Sequence, residues 1–79
     1  MRYLVNVCYS SYIHGWGSLD KKFETLLRKE SDGAGTNLQT GWRDIDFNYK
    51  QKAAADRAVE KIKALELRGV KVKVYVGED

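Results

Sequence analysis

The chain has no proline, one cysteine, one histidine and no long apolar run, and these shortages exclude several classes of protein. A single cysteine, Cys8, cannot form an internal disulfide framework, which favours a reducing compartment. Without a long apolar run we expect no membrane-spanning helix, and the N-terminus has no signal-peptide pattern. We therefore expect a cytoplasmic protein that does not contact a membrane.

The remaining composition is that of a small globular protein. The chain has 79 residues, of which 43% are hydrophobic and 32% are charged. This is enough for one small core, so we expect a single domain over residues 1–79. The net charge of +3 is uneven, because eight basic and three acidic residues lie between positions 50 and 73.

Alternating apolar and polar residues predict the strands. In the first segment Tyr3, Val5, Val7 and Tyr9 alternate with Arg2, Leu4, Asn6 and Cys8. Four valines alternate with other residues near the C-terminus. The predicted strands are Arg2–Tyr9, a short strand Thr36–Thr40, Trp42–Lys50 and Val70–Val76.

Two segments carry apolar residues three or four positions apart, which is the spacing of one helical face. The first helix is predicted to begin at Leu19, with Ser18 as its N-cap, and to end near Glu30 before a glycine-rich loop. The second is predicted over residues 51–68 and is followed by Gly69, a typical C-cap glycine.

The resulting order, β-α-(β)-β-α-β, resembles the ferredoxin-like split βαβ arrangement. This resemblance implies an α+β fold with an antiparallel sheet and two helices on one of its faces. The other face is then open to solvent. The side chains predicted on the open face are Leu4, Asn6, Cys8, Trp42, Asp44, Asp46, Asn48, Lys71, Lys73 and Tyr75.

The most informative segment is the stretch from Ser10 to Gly17, between the first strand and the first helix. A short polar turn would suffice there, but the segment carries Tyr12, Ile13, His14 and Trp16. Loops lie on the surface, and large aromatic side chains in them are typical of contact sites for another protein. The alternative is that the segment folds back as a lid over the edge of the core.

These observations favour a non-enzymatic protein-binding module that acts as a regulator, inhibitor or adaptor. The sequence has no assembled catalytic set and is too short to hold a deep substrate pocket easily. Its size and architecture are similar to those of phage-encoded inhibitors and immunity-type proteins. We expect no cofactor and no metal. An open sheet also allows homodimers to form through its face or an edge strand.

The alternative function is nucleic-acid binding through the basic second helix and the last strand. The residues of that surface would be Lys50, Lys52, Arg57, Lys61, Lys63, Arg68, Lys71 and Lys73. Binding of RNA to the open sheet face is disfavoured, because Asp44 and Asp46 would repel phosphates and no RNP1-type pattern is present.

A third function, more remote, is a metal-dependent nuclease that uses Asp44 and Asp46. Two carboxylates on one strand can hold Mg²⁺, but a third ligand is needed, and Glu78 and Asp79 are the nearest guess. Cys8 and His14 cannot complete a four-ligand zinc site, and as a nucleophile and base they lack an orienting group.

Overall fold

The structure, a computed structural model, describes residues 1–15 and 17–77. Over these residues the chain forms a small α+β fold with a four-stranded antiparallel sheet and three helices. The elements are β1 (Arg2–Ser10), α1 (Ser11–His14), α2 (Asp20–Leu27), β2 (Gly33–Thr36), β3 (Trp42–Tyr49), α3 (Lys52–Lys63) and β4 (Val70–Gly77).

The strands lie in the order β2-β3-β1-β4, and every neighbouring pair is antiparallel. Val5 in the central strand β1 lies opposite Phe47 of β3 and Val74 of β4. Residues that lie opposite each other point to the same side of a sheet. The predicted division of the side chains between the two faces is therefore confirmed.

The core lies between one face of the sheet and the two longer helices. The sheet contributes Val5, Val7, Tyr9, Ile45 and Phe47, all at most 1% exposed. The helices contribute Phe23 from α2 and Ala55, Ala58 and Ile62 from α3. As predicted, α2 and α3 pack on the same face. Within the described residues, none of the helices has the length and apolar character needed to cross a membrane.

The short strand predicted over 36–40 is wrong, because β2 occupies Gly33–Thr36 instead. The Asn37 side chain accepts hydrogen bonds from the amides of Gln39 and Thr40, at 2.9 and 3.2 Å, and folds that segment into a turn. The glycine-rich stretch before it, predicted as a loop, pairs with β3.

The ends of the first predicted helix also differ. Ser18 is not the N-cap of α2, because its hydroxyl donates to the carbonyls of His14 and Gly15 in the preceding turn. The helix begins at Asp20 and ends at Leu27, since Arg28 adopts a left-handed conformation with φ of 54°.

The second predicted helix is shorter than expected at its C-terminal end. Helix α3 ends at Lys63, and Leu65 and Glu66 form tight turns back to the carbonyls of Ile62 and Lys63. Gly69, with φ of +65°, lies in the turn into β4 and does not cap the helix.

Candidate functional site

The segment predicted as an aromatic loop contains a one-turn helix, α1, which lies between two turns at one end of the sheet. The amide of Ser10 donates to the Gly69 carbonyl at 3.0 Å, and the amide of Ser11 donates to the Gly41 carbonyl at 2.7 Å. The turn is closed by the amide of Gly15, which donates to the Ser11 carbonyl at 2.7 Å. The backbone of α1 is therefore held on both sides by neighbouring segments.

Two side chains of α1 lie directly over glycines. A Cβ atom added to Gly41 would lie 2.3 Å from Cε2 of Tyr12, and one added to Gly69 would lie 2.7 Å from Cδ1 of Ile13. Both glycines also have positive φ angles, +76° and +65°, which side-chain-bearing residues rarely adopt. The positions of the Tyr12 and Ile13 side chains thus require glycine beneath them, because glycine has no Cβ atom and adopts a positive φ angle readily.

The outer sides of these residues are exposed. Tyr12 is 69% exposed and Ile13 is 52% exposed. Leu38, which lies in the same turn as Gly41, is 79% exposed. We refer to the exposed side chains of Tyr12, Ile13 and Leu38 as the α1 surface. The α1 backbone that carries two of them is held in place by hydrogen bonds.

His14, predicted as a contact residue, has a different position. Its Nε2 atom lies 2.6 Å from the carbonyl oxygen of Arg68, and its ring packs edge-on against Tyr9 at a centroid distance of 6.2 Å. His14 is half-buried and ties α1 to the turn before β4. Trp16, the fourth predicted contact residue, lies outside the described residues, so its role stays a prediction.

Beneath α1 lies a polar network that was not predicted from the sequence. The Tyr9 hydroxyl donates to Oδ1 of Asp20 at 2.6 Å, and Nε of Arg43 donates to the same carboxylate at 2.9 and 3.0 Å. Arg43 also donates to the Thr36 hydroxyl at 2.8 Å. The network joins the first turn of α2 to β1, β2 and β3. One feature of the sequence could have indicated this network: Arg43 is a charged residue at a core-facing position of a predicted strand.

The network changes the ionisation of its members. Burial, together with the hydrogen bond to Asp20, raises the pKa of Tyr9 to about 12. Burial alone would raise the pKa of Asp20, but the hydrogen bonds from Arg43 and Tyr9 outweigh it and lower that pKa below its ordinary value. At neutral pH the site is therefore a neutral phenol, a carboxylate and a guanidinium, each satisfied by the others.

The open sheet face holds a shallow cavity of about 320 Å³. It is lined by Asn6, Cys8, Trp42, Asp44, Lys71, Lys73 and Tyr75. The Nζ atom of Lys71 lies 4.9 Å from the centroid of the Trp42 ring, which is a cation–π distance. Burial, and then the hydrogen bond to Asp44, raises the pKa of the Cys8 thiol to about 11. The thiol is thus protonated at neutral pH and is a weak nucleophile.

The residues of the nuclease hypothesis share the open face, but both carboxylates already accept hydrogen bonds. Asn6 donates to Asp46 at 2.7 Å, and the Cys8 thiol donates to Asp44. Among residues 1–15 and 17–77 no group of three or more His, Cys, Asp or Glu could hold a metal ion. The proposed third ligands, Glu78 and Asp79, lie outside the described residues.

The eight basic residues of the nucleic-acid hypothesis do not share one surface. Lys71 and Lys73 lie opposite Cys8 and Asn6 on the open face, whereas α3 packs on the other face of the sheet. The remaining six are exposed and lie on or near α3. They are Lys50, Lys52, Arg57, Lys61, Lys63 and Arg68. Alternation along β4 is the physical cause, because its core-facing positions are valines and its lysines point away from α3.

Comparison of the chain with protein-family models, with curated proteins and with solved structures found no match.

Proposed function

We propose that this chain is a protein-binding module that docks a partner protein through the α1 surface. The observation that supports this most strongly is the exposure of Tyr12, Ile13 and Leu38 beside a backbone held by hydrogen bonds to two other segments. A contact surface that is already ordered loses little conformational entropy on binding. Large apolar and aromatic side chains supply most of the energy at such surfaces.

We propose binding without catalysis, in a cytoplasmic regulator, inhibitor or adaptor. The polar groups of Asp20, Tyr9 and Arg43, which lie close together, are engaged with one another. We also propose the ferredoxin-like arrangement for the fold, with α1 as an addition to it. The strand order β2-β3-β1-β4 and the packing of α2 and α3 on one face support that assignment.

The expected partner is a protein with an apolar groove that takes up the Tyr12 ring and the Ile13 side chain. The groove is expected to be apolar because the Tyr12 ring and the Ile13 side chain are largely hydrocarbon.

The experiment isolates partners from the native cell on the immobilised chain, purifies the captured protein and measures its affinity by calorimetry. We expect Tyr12→Ala to weaken binding by about 2 kcal/mol or more, roughly 30-fold. The matched control is Tyr75→Ala, because Tyr75 is 51% exposed but lies on β4 and faces the open side of the sheet. Equal losses in the two variants, or none in Tyr12→Ala, contradict the proposal.

A second candidate function, binding of single-stranded nucleic acid, is favoured by one observation on the open face. Lys71 and Lys73 line the same cavity as Trp42 and Tyr75. Cations beside aromatic rings are the usual means of holding phosphates and stacking bases. Asp44 in the same cavity opposes it.

The test is a fluorescence titration with a random-sequence single-stranded oligonucleotide at low salt. If this second candidate is right, Lys71→Glu with Lys73→Glu abolishes binding, while Lys61→Glu with Lys63→Glu on α3 leaves most of it. Affinity must also fall steeply as salt rises. If the wild-type chain does not bind at low salt, this candidate is wrong.

A further inference from the structure

The outer edge of β4 also carries exposed apolar side chains. Strand β4 lies at the end of the sheet, and no described strand pairs with its outer side. Val74, Tyr75 and Val76 are 37%, 51% and 58% exposed. An eight-residue edge strand with exposed apolar side chains is a template for pairing with another strand.

One hydrogen bond shows which backbone groups of β4 face outward. The amide of Ser10 donates to the carbonyl of Gly69, and the register pairs Tyr9 with Val70, so Ser10 and Gly69 form a hydrogen-bonded pair of the ladder. Such pairs alternate with non-bonded pairs along antiparallel strands. The odd-numbered residues of β4 therefore bond to β1. The outward groups belong to Val70, Val72, Val74 and Val76.

We propose that two copies of this chain pair antiparallel through β4, with Val74 opposite Val74 of the second copy at the two-fold axis. The outward groups can bond only if valine positions of the two strands lie opposite each other. A register centred on Lys73 places that lysine opposite itself, and one centred on Val72 places Lys71 opposite Lys73. Both oppose like charges, which destabilises a strand pair.

The register centred on Val74 avoids this repulsion. It places Lys73 opposite Tyr75 and Lys71 opposite Gly77 of the second copy. A register centred on Tyr75 also separates the lysines, but it leaves Val72 without a partner inside β4. The Val74 register is thus the one that joins the most outward groups of β4 without opposing like charges.

The same register covers the exposed apolar side chains. On the helix-bearing face, Val74 packs against its copy and Val76 packs against Val72 of the second copy. On the open face the ammonium group of Lys73 reaches the Tyr75 ring of the second copy, a favourable cation–π pair. The contact uses no residue of the α1 surface, so it stands or falls independently of the proposed partner site.

The first test is sedimentation equilibrium of the purified chain across a wide range of concentrations. A strand-edge contact is smaller than the roughly 1,200 Å² of ordinary stable interfaces. We therefore expect a weak dimer, with a dissociation constant in the micromolar range or higher. Val74→Lys places two ammonium groups at the axis and should weaken the dimer by at least about tenfold. Leu38→Lys, a change at a more exposed position, should leave it unchanged.

The second test identifies the register by oxidative cross-linking in a Cys8→Ser background. Residues in a hydrogen-bonded antiparallel pair have Cα atoms about 5.5 Å apart, within the range of a disulfide. Val74→Cys should form a covalent dimer. Val76→Cys is the control, because position 76 is more exposed than position 74 but lies opposite Val72 in this register.

Random collision predicts the reverse, with faster cross-linking at the more exposed position 76. Cross-linking of Val76→Cys at the same rate as Val74→Cys, or faster, overturns the proposal. So does a wild-type chain that stays monomeric up to about 1 mM, the weak end of specific association.

Discussion

Two tyrosines three residues apart, Tyr9 and Tyr12, lie on opposite sides of the junction between β1 and α1. Tyr9 is 0% exposed and donates its hydroxyl proton to Asp20, whereas Tyr12 is 69% exposed. On the β1 side, which we call below the junction, the Tyr9 ring is part of the core, and its hydroxyl needs a partner because water is excluded. On the α1 side, above the junction, the Tyr12 ring covers Gly41 and leaves most of its surface in water.

The two tyrosines therefore contribute differently to the folded state. Burial of Tyr9, Phe23 and Phe47 stabilises the fold, because these rings fill the space between the sheet and its helices. The folded state gains less from Tyr12 and Ile13, which keep more than half of their surface exposed. We therefore expect changes below the junction to reduce stability and changes above it to reduce binding.

The largest effect is expected from Phe47→Ala, in the core. Phe47 is 0% exposed, and its removal leaves a cavity between β3 and the helices. We expect a loss of about 3–5 kcal/mol in the free energy of unfolding, measured by urea denaturation. Stability equal to that of the wild type would mean that β3 presents its other face to the core.

The next effect concerns the network that supports the junction. Asp20→Asn removes the charge that Arg43 and Tyr9 bond to, so we expect a loss of about 2 kcal/mol in the free energy of unfolding at neutral pH. The matched control is Asp56→Asn, because Asp56 pairs with Lys52 at 2.8 Å on an exposed helix surface. That change should cost less than about 0.5 kcal/mol.

The Asp20 effect should also depend on pH. The folded state lowers the pKa of Asp20, so its contribution is fully present above the unfolded value of about 3.9 and is lost as pH falls through the folded value. The stability difference between the wild type and Asp20→Asn should therefore shrink below about pH 4. A difference that stays constant between neutral and acid pH would show that the carboxylate charge is not what stabilises the junction.

A smaller effect is expected at Gly41, which lies against the Tyr12 ring. Gly41→Ala adds a Cβ atom 2.3 Å from the Tyr12 ring at a position where φ is +76°, so we expect a loss of about 1–2 kcal/mol in unfolding free energy. Part of this loss comes from displacement of the ring. The same substitution in a Tyr12→Ala background should therefore cost less, and a double-mutant cycle measures the difference. Equal costs in both backgrounds would mean that the ring does not depend on this glycine.

The faces of the sheet could be predicted from the sequence, because a strand buried on one side carries a period of two. Val5 and Phe47 on one face, and Asn6 and Asp46 on the other, follow from that rule alone. Strand β2 could not be predicted, since Gly33–Thr36 has no side-chain pattern and forms a strand by pairing with β3. The helix ends depended on local hydrogen bonds of Ser18 and on left-handed residues such as Arg28.

The candidate site could be predicted only as a segment. An aromatic stretch between two regular elements indicates a special role, but spacing alone does not separate exposed Tyr12 from half-buried His14. The difference arises from tertiary contacts of His14. Its ring contacts the carbonyl of Arg68, 54 positions away, and the ring of Tyr9, 5 positions away. The Tyr9–Asp20–Arg43 network likewise joins three elements that only the fold brings together.

Tyr12→Ala separates binding from folding when both quantities are measured on the same variant. We expect the free energy of unfolding to change by no more than about 0.5 kcal/mol, because the ring is mostly exposed. We expect the affinity for the captured partner protein to fall roughly 30-fold in the same variant. A large loss of stability with unchanged partner affinity would show instead that α1 is a lid over the edge of the core.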